Sequence, residues 1–229
     1  MKDILRPIYF RMIKQLPLRN RLQIEFLRKH WHFPDLEHPK TYSEKIAWCK
    51  LNERDPRLPL WADKVRVKKI VTEILGEQYV LPNLWIGKNP YKIPFDELRV
   101  PYVIKTSNGT ATNIFIRKYA KSSMVTVCEK IKDNLQSPVT EYHDEWHYGL
   151  IDPQILIEPM IIDSKGLPPT DFKFHVFGGE VMYIQVHTGR FGSHCVSFFD
   201  KEWRKQTFTH HLPMIDKEQP RPKLLDGMI

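Results

Sequence analysis

The stretch YVIKTSNGTATNIFI, residues 102–116, is an apolar run that ends on a lysine, crosses a small polar loop with one glycine, and turns apolar again. Its β-branched and aromatic flanks predict two strands. The loop between them has two readings. Asn108-Gly109 is an ordinary turn dipeptide and suits a plain hairpin. Small polar loops also present backbone N–H groups to anions, and Lys105 would set an ammonium group at the mouth of this one. It is not a P-loop, because the GxxxxGK[ST] pattern is absent.

Outward from this stretch, the N-terminal side reads as helical. TYSEKIAWCKL, residues 41–51, opens with a capping box, Thr41 followed three residues later by Glu44. WADKVRVKKIVTEILG, residues 61–76, carries Val67, Ile70, Val71 and Ile74 at helical spacing, with Asp63 in the first turn and Gly76 at the C-cap. On the C-terminal side, SSMVTVCEKIKDNLQS is a helix with Met124, Cys128, Ile131 and Leu135 on one stripe. QILIEPMII is an apolar run interrupted only by Glu158-Pro159, and DFKFHVF and EVMYIQVH flank the two-residue turn Gly178-Gly179. Helices first and mostly antiparallel strands later, with one helix inserted, make an α+β pattern rather than a βαβ series.

The 229 residues suffice for one large domain or two small ones, and no apolar run approaches membrane-spanning length. No signal peptide is visible. The three cysteines, Cys49, Cys128 and Cys195, are scattered and odd in number, which points to a reducing, cytoplasmic setting. The net charge is +8, and residues 1–30 hold eight basic side chains against two acidic ones. Ile4, Leu5, Ile8, Tyr9, Phe10, Met12 and Ile13 lie among these charges. Such a segment can lie on an anionic membrane surface, or dock on the domain with its basic face in water. No recognition motif accompanies the charge, so nucleic acid is not an expected partner.

Three places could carry chemistry. If Gly178-Gly179 form the turn, Asp171, Lys173 and His175 share a face with Val186, Ile184 and Met182, an apolar floor bearing three polar groups. That floor suits a flat ligand with hydroxyls and phosphates, or is simply a solvated sheet face. Glu158 sits inside an apolar run, where a carboxylate is costly without a partner. It faces a ligand at a hinge, or turns to water at a strand end. Lys105 is the third. His187, His194, Cys195, His210 and His211 lie in one region, but no CxxC or HExxH spacing organises them, and EYHDEWHY reads more simply as a loop than as a metal site. There is no GxSxG elbow.

Taken in order, TYSEKIAWCKL, ADKVRVKKIV, YVIKTSNGTATNIFI, EWHY, ILIEPMI, DFKFHVFGGEVMYIQV and FFDKEW resemble the TupA-like branch of the ATP-grasp superfamily, from about residue 40 to the end. Proteins of this branch belong to bacterial cell-wall and capsular polysaccharide gene clusters. The resemblance implies an ATP-grasp-like α+β fold holding ATP between two halves. It divides the chain into a basic N-terminal region (1–40), a helical linker part (41–100), a small subdomain with the phosphate loop (101–155) and an incomplete C-terminal subdomain (156–229). It implies that Lys64 and Lys105 contact phosphate, with Ser107, Asn108, Gly109 and Thr110 in the loop. Glu158 would be the hinge acid, Met160 and Ile161 would line adenine, Asp171 would face ribose, and Lys173 would face phosphate or acceptor. The implied activity is carboxylate activation through an acyl phosphate that an amine attacks, on an acidic polysaccharide or amino-acid acceptor.

The sequence departs from the pattern in two ways. The family's RVDxY and GExT-like segments, whose acids hold Mg²⁺, would follow RPKLLDGMI, so the Mg²⁺ ligands are not expected within residues 1–229. More glycines are usual where Ser107, Asn108, Gly109, Thr110 and Ala111 stand. Catalysis is therefore left open beside a non-catalytic module that binds nucleotide or acidic glycan. A glycosyltransferase is the third reading, although no metal-binding DxD stretch supports it.

Overall fold

The computed structural model describes residues 9, 12–136, 144–163, 166–190, 192–209 and 211–229. The chain divides into two units, Met1–Met160 and Ile161–Ile229.

In the first unit the named helices are α1 (Leu18–His30), α2 (Tyr42–Asn52), α3 (Leu58–Ala62), α4 (Arg66–Leu75) and α5 (Met124–Gln136). They accompany an antiparallel sheet of β1 (Trp85–Gly87), β2 (Tyr102–Thr106), β3 (Ile114–Ile116) and β4 (Ile155–Pro159), in the order β1-β4-β2-β3. The sequence reading had no counterpart for β1, a three-residue strand. The opening stretch does form a hairpin: Tyr102 pairs with Ile116 and Ile104 with Ile114. β4 lies in the middle of the sheet, so Ile155, Leu156 and Ile157 are all fully buried. A strand covered on both faces reads as a continuous apolar run rather than an alternating one. Ile131 of α5 packs into the same core with Tyr102, Ile104 and Ile157.

Local chemistry sets the helix ends. Thr41 caps α2 through the expected box, its hydroxyl accepting from the Glu44 N–H at 3.3 Å. Glu44 also accepts from the N–H groups of Thr41, Asp35 and Lys40, which together hold its carboxyl down at about 2. The helix expected to run through residues 61–76 is broken at Asp63. This carboxylate accepts from the Val65 N–H at 2.8 Å and the Arg66 N–H at 3.2 Å, and so starts α4 afresh. Of the expected stripe, Val67, Ile70 and Val71 are half-buried and Ile74 is exposed.

In α1, Leu22 and Phe26 are buried, while Arg19, Arg21 and Arg28 pair with Glu37, Asp144 and Glu25. Ile4, Leu5, Ile8 and Phe10 lie outside the described residues, as do His210 and, in EYHDEWHY, Glu141, Tyr142 and His143.

The second unit holds the antiparallel sheet β5 (Asp171–Phe177), β6 (Glu180–Thr188) and β7 (Cys195–Phe199), in that order. Gly178 and Gly179 both have positive φ, 60° and 87°, as a two-residue hairpin turn demands. The register expected from the turn holds for Phe177↔Glu180 and Val176↔Val181, then shifts. His175 faces Tyr183, Lys173 faces Gln185 and Asp171 faces His187, leaving Met182 as the extra residue of a β-bulge.

The cause lies in the spacing of β6. Val181, Ile184 and Val186 all belong to one buried cluster with Phe199, Ile215 and Leu225. Strict alternation would send Val181 to the opposite face from Ile184, and one inserted residue brings both inside. The expected apolar floor under Asp171, Lys173 and His175 is thereby corrected. These residues share a polar face with Tyr183, Gln185 and His187. Trp203 stacks on Phe199 with ring centroids 4.3 Å apart and donates from Nε1 to the Gln219 carbonyl at 2.9 Å, holding the proline-rich tail to the sheet.

Ile157→Ala should lower the stability of the first unit by about 2–5 kcal/mol, the cost of emptying a fully buried aliphatic site, read as a lower urea midpoint with an unchanged slope.

Candidate functional site

Glu158 stands on β4, the central strand, beside Val103 of β2, and is 3% exposed. Its two carboxylate oxygens take one ammonium each: Lys68 of α4 at Oε1 and Lys105 of β2 at Oε2. Lys68 is further fixed by the Leu81 carbonyl and Asn83 Oδ1, both at 2.8 Å. Burial pushes the Glu158 carboxyl up, but Lys105 and Lys68 outweigh it and the net shift is downward, so Glu158 is ionised at neutral pH.

The loop after Lys105 is tied down on both sides. Ser107, fully buried, donates its N–H to the Gln154 carbonyl at 2.8 Å and accepts the Gln154 N–H on its hydroxyl at 2.9 Å. Lys64 enters just before α4. Its N–H donates to the Ser107 carbonyl at 3.2 Å and its ammonium to the Gly109 carbonyl. On the far side, Asn134 of α5 donates to the Thr112 carbonyl at 3.1 Å. Gly109 is closely packed: a Cβ there would overlap the hydroxyl oxygens of both Thr106 and Thr112, so those side chains would have to shift. Ala111 adopts the left-handed region at φ 57°, where glycine would be unstrained. Burial, and then the charge of Lys105, lower the pKa of Lys64.

Lys64, Lys68 and Lys105 set three positive charges against the two buried carboxylates of Glu158 and Asp63. The cluster is thus net positive around a loop in which Gly109 is buried against the hydroxyls of Thr106 and Thr112. Asn108 Oδ1 is buried with no hydrogen-bond partner among the described residues. The ammonium groups fit a nucleotide's phosphates, whereas Asn108 Oδ1 is an acceptor and calls for a donor. A groove of about 720 Å³ between α4 and residues 77–86 has Lys68, Leu81 and Asn83 on its walls. For a metal ion the fit is lacking, since no three His, Cys, Asp or Glu side chains converge to hold one among the described residues.

Of the residues singled out in the sequence, Lys64, Lys105, Ser107, Asn108, Gly109 and Glu158 therefore come together in the first unit. Thr110 is exposed at the loop tip, and Met160 follows β4, its N–H donating to the Pro101 carbonyl at 3.1 Å. Ile161 is exposed. Asp171 and Lys173 lie on β5 of the second unit, where Asp171 pairs with Arg190 at 3.1 Å. Lys68 escaped the sequence reading. A lysine beside the apolar stripe of a helix reads as a solvated charge, and only its spacing of four from Lys64 hinted at a shared face.

The family is settled by sequence. The chain belongs to the TupA-like ATPgrasp family, whose model matches residues 44–229. Membership of an ATP-grasp family suggests an ATP-binding, ligase-type function. No curated protein and no solved structure matches the chain. Among the described residues no helix is long and apolar enough to cross a membrane.

Glu158→Gln should cost about 3–5 kcal/mol of first-unit stability, because two ammonium groups then face each other without a counter-charge. Since the Glu158 carboxyl is depressed in the folded state, its contribution is complete above the ordinary value of 4.5 and fades as pH falls through the lower folded value. Urea midpoints between pH 7 and pH 3 should accordingly fall more steeply in the wild type than in the variant.

Proposed function

We propose that the chain binds ATP with its phosphates on Lys64, Lys105 and the loop Ser107–Thr110, and serves as a carboxylate–amine ligase in cell-surface polysaccharide synthesis. The observation that carries the reading is the placement of two half-buried ammonium groups around the loop that follows β2. ATP would supply the phosphoryl group that turns a carboxylate into an acyl phosphate, which an amine converts to an amide with release of phosphate. Ammonium groups held by a buried carboxylate are already oriented, so they stabilise developing negative charge with little reorganisation. Glu158 keeps Lys105 aimed, and Lys68 holds Glu158 from the other side. An acidic polymer or amino acid as acceptor accords with the net charge of +8.

Lys64→Ala and Lys105→Ala should each weaken ATP binding by about tenfold or more, equivalent to about 1.4 kcal/mol, in calorimetry on variants whose folding is checked by circular dichroism. Unchanged affinity in both would remove the phosphate assignment. With a uronate polymer and an amino acid present, magnesium ATP should be converted to ADP and phosphate. ATP binding without turnover under these conditions identifies a nucleotide- or glycan-binding module, and preference for a sugar nucleotide over ATP identifies a glycosyltransferase.

A further inference from the structure

α1 of the first unit buries Leu22 and Phe26, so its apolar face is already covered. Beyond its last turn the chain runs Trp31-His32-Phe33-Pro34. The imidazoles of His30 and His32 lie by the buried Phe26 ring, with centroids 4.2 and 5.3 Å from it. The two larger apolar rings are left outside: Trp31 is 88% and Phe33 62% exposed. Water alone favours the opposite choice, with the apolar rings on Phe26 and the imidazoles outside. The chain is anchored at this point, since Pro34 and Leu36 are buried. Trp31 is also the C-cap of α1 and adopts the left-handed region at φ 64°, where glycine is usual and a bulky residue is strained.

Cations flank these rings along the chain. The last turn of α1 carries Arg28, Lys29 and His30, and Lys40 and Lys45 are exposed further on. The acids of the same stretch are engaged: Glu25 by Arg28, Glu37 by Arg19, Asp35 by the N–H groups of Glu37 and His38, and Glu44 by the cap of α2. Tyr9 donates to Glu25 at 2.9 Å and lies under the Arg28 guanidinium, so the eight residues before it, with Lys2 and Arg6, join the protein at this end of α1. A shallow pocket of about 230 Å³ beside α1 brings Phe26, Ile46 and Ala47 together with Lys29 and Lys50. Outward aromatic rings among cations have the makeup of an interfacial anchor, in which the rings enter the headgroup layer and the cations meet anionic lipid. A soluble acidic polymer would answer the cations and leave Phe33 in water.

We infer that the end of α1 docks the chain peripherally on an anionic bilayer surface, with Trp31 and Phe33 as the inserting rings and Lys29 with its basic neighbours as the counter-charge. The inference does not rest on the ligase reading, because it uses none of the residues assigned to ATP.

Co-sedimentation of the full chain with vesicles tests it. Vesicles of phosphatidylcholine and phosphatidylglycerol in equal parts should bind the chain, less tightly as salt is raised, and about tenfold more tightly than pure phosphatidylcholine. Trp31→Ser combined with Phe33→Ser should weaken binding to the mixed vesicles about tenfold, and Lys29→Ala about fivefold. Trp31→Gly should weaken vesicle binding and yet raise the urea midpoint of the free chain, since glycine is unstrained at φ 64°. A Trp31 that serves only the fold would lower that midpoint and leave vesicle binding unchanged. The inference is overturned by that result, by failure of the mixed vesicles to bind, by equal binding to pure phosphatidylcholine, or by binding that survives both serine substitutions. Loss of polyglucuronate binding with vesicle binding intact would assign the surface to a soluble acidic polymer and overturns it as well. ATP calorimetry on the serine variant should match the wild type, so failure of the docking surface and failure of the ATP assignment are distinct results.

Discussion

Two ammonium groups on one buried carboxylate organise the first unit. Glu158 could not remain ionised at 3% exposure without them, and neither lysine could approach the centre of the sheet without Glu158. The three side chains come from β4, β2 and α4, so a single electrostatic requirement ties the middle of the sheet to the helix that carries Lys68. Such clusters contribute little net stability compared with apolar packing, and their value lies in specifying one arrangement. Here the arrangement specified is the direction of Lys105 and, through α4, the position of Lys64 beside the loop.

Much of this was legible in the sequence where the signal was local. The capping box at Thr41, the Gly178-Gly179 turn, the apolar stripe of α5 and the run of β4 each state their structure within a few residues. The resemblance of ordered segments singled out Lys64, Lys105 and Glu158, which the first unit brings together. What was not legible depended on distant partners. Pairing of Glu158 with Lys68 spans α4 and β4, and a charged helix residue carries no mark of such a partner. Gln154, which clasps Ser107 from both sides, is an ordinary polar residue until the sheet brings it there. The bulge at Met182 was encoded in the spacing of Val181 and Ile184, yet reading it required knowing that both face the same core.

The two units meet the problem of buried polarity differently. In the first, charges are buried in opposite-sign contact, and Ser107 of the loop finds its partners on the Gln154 backbone. In the second, the polar face of the hairpin keeps an imbalance of charge next to an imidazole held neutral by its surroundings. The bulge is the root of that difference, because it places Asp171 opposite His187 instead of opposite Val186.

The strand order β1-β4-β2-β3 has a consequence for how the chain can be made. β1, β2 and β3 leave the ribosome long before β4, but β4 lies between β1 and β2 and supplies the ladder partners of both. Until residues 155–159 emerge, β1 has no neighbour in the sheet and the hairpin of β2 and β3 exposes the edge that β4 will cover. Folding of the first unit is therefore gated by its final segment during synthesis. Nascent chains stalled short of residue 160 would present open strand edges, the feature that chaperones and wrong partners recognise.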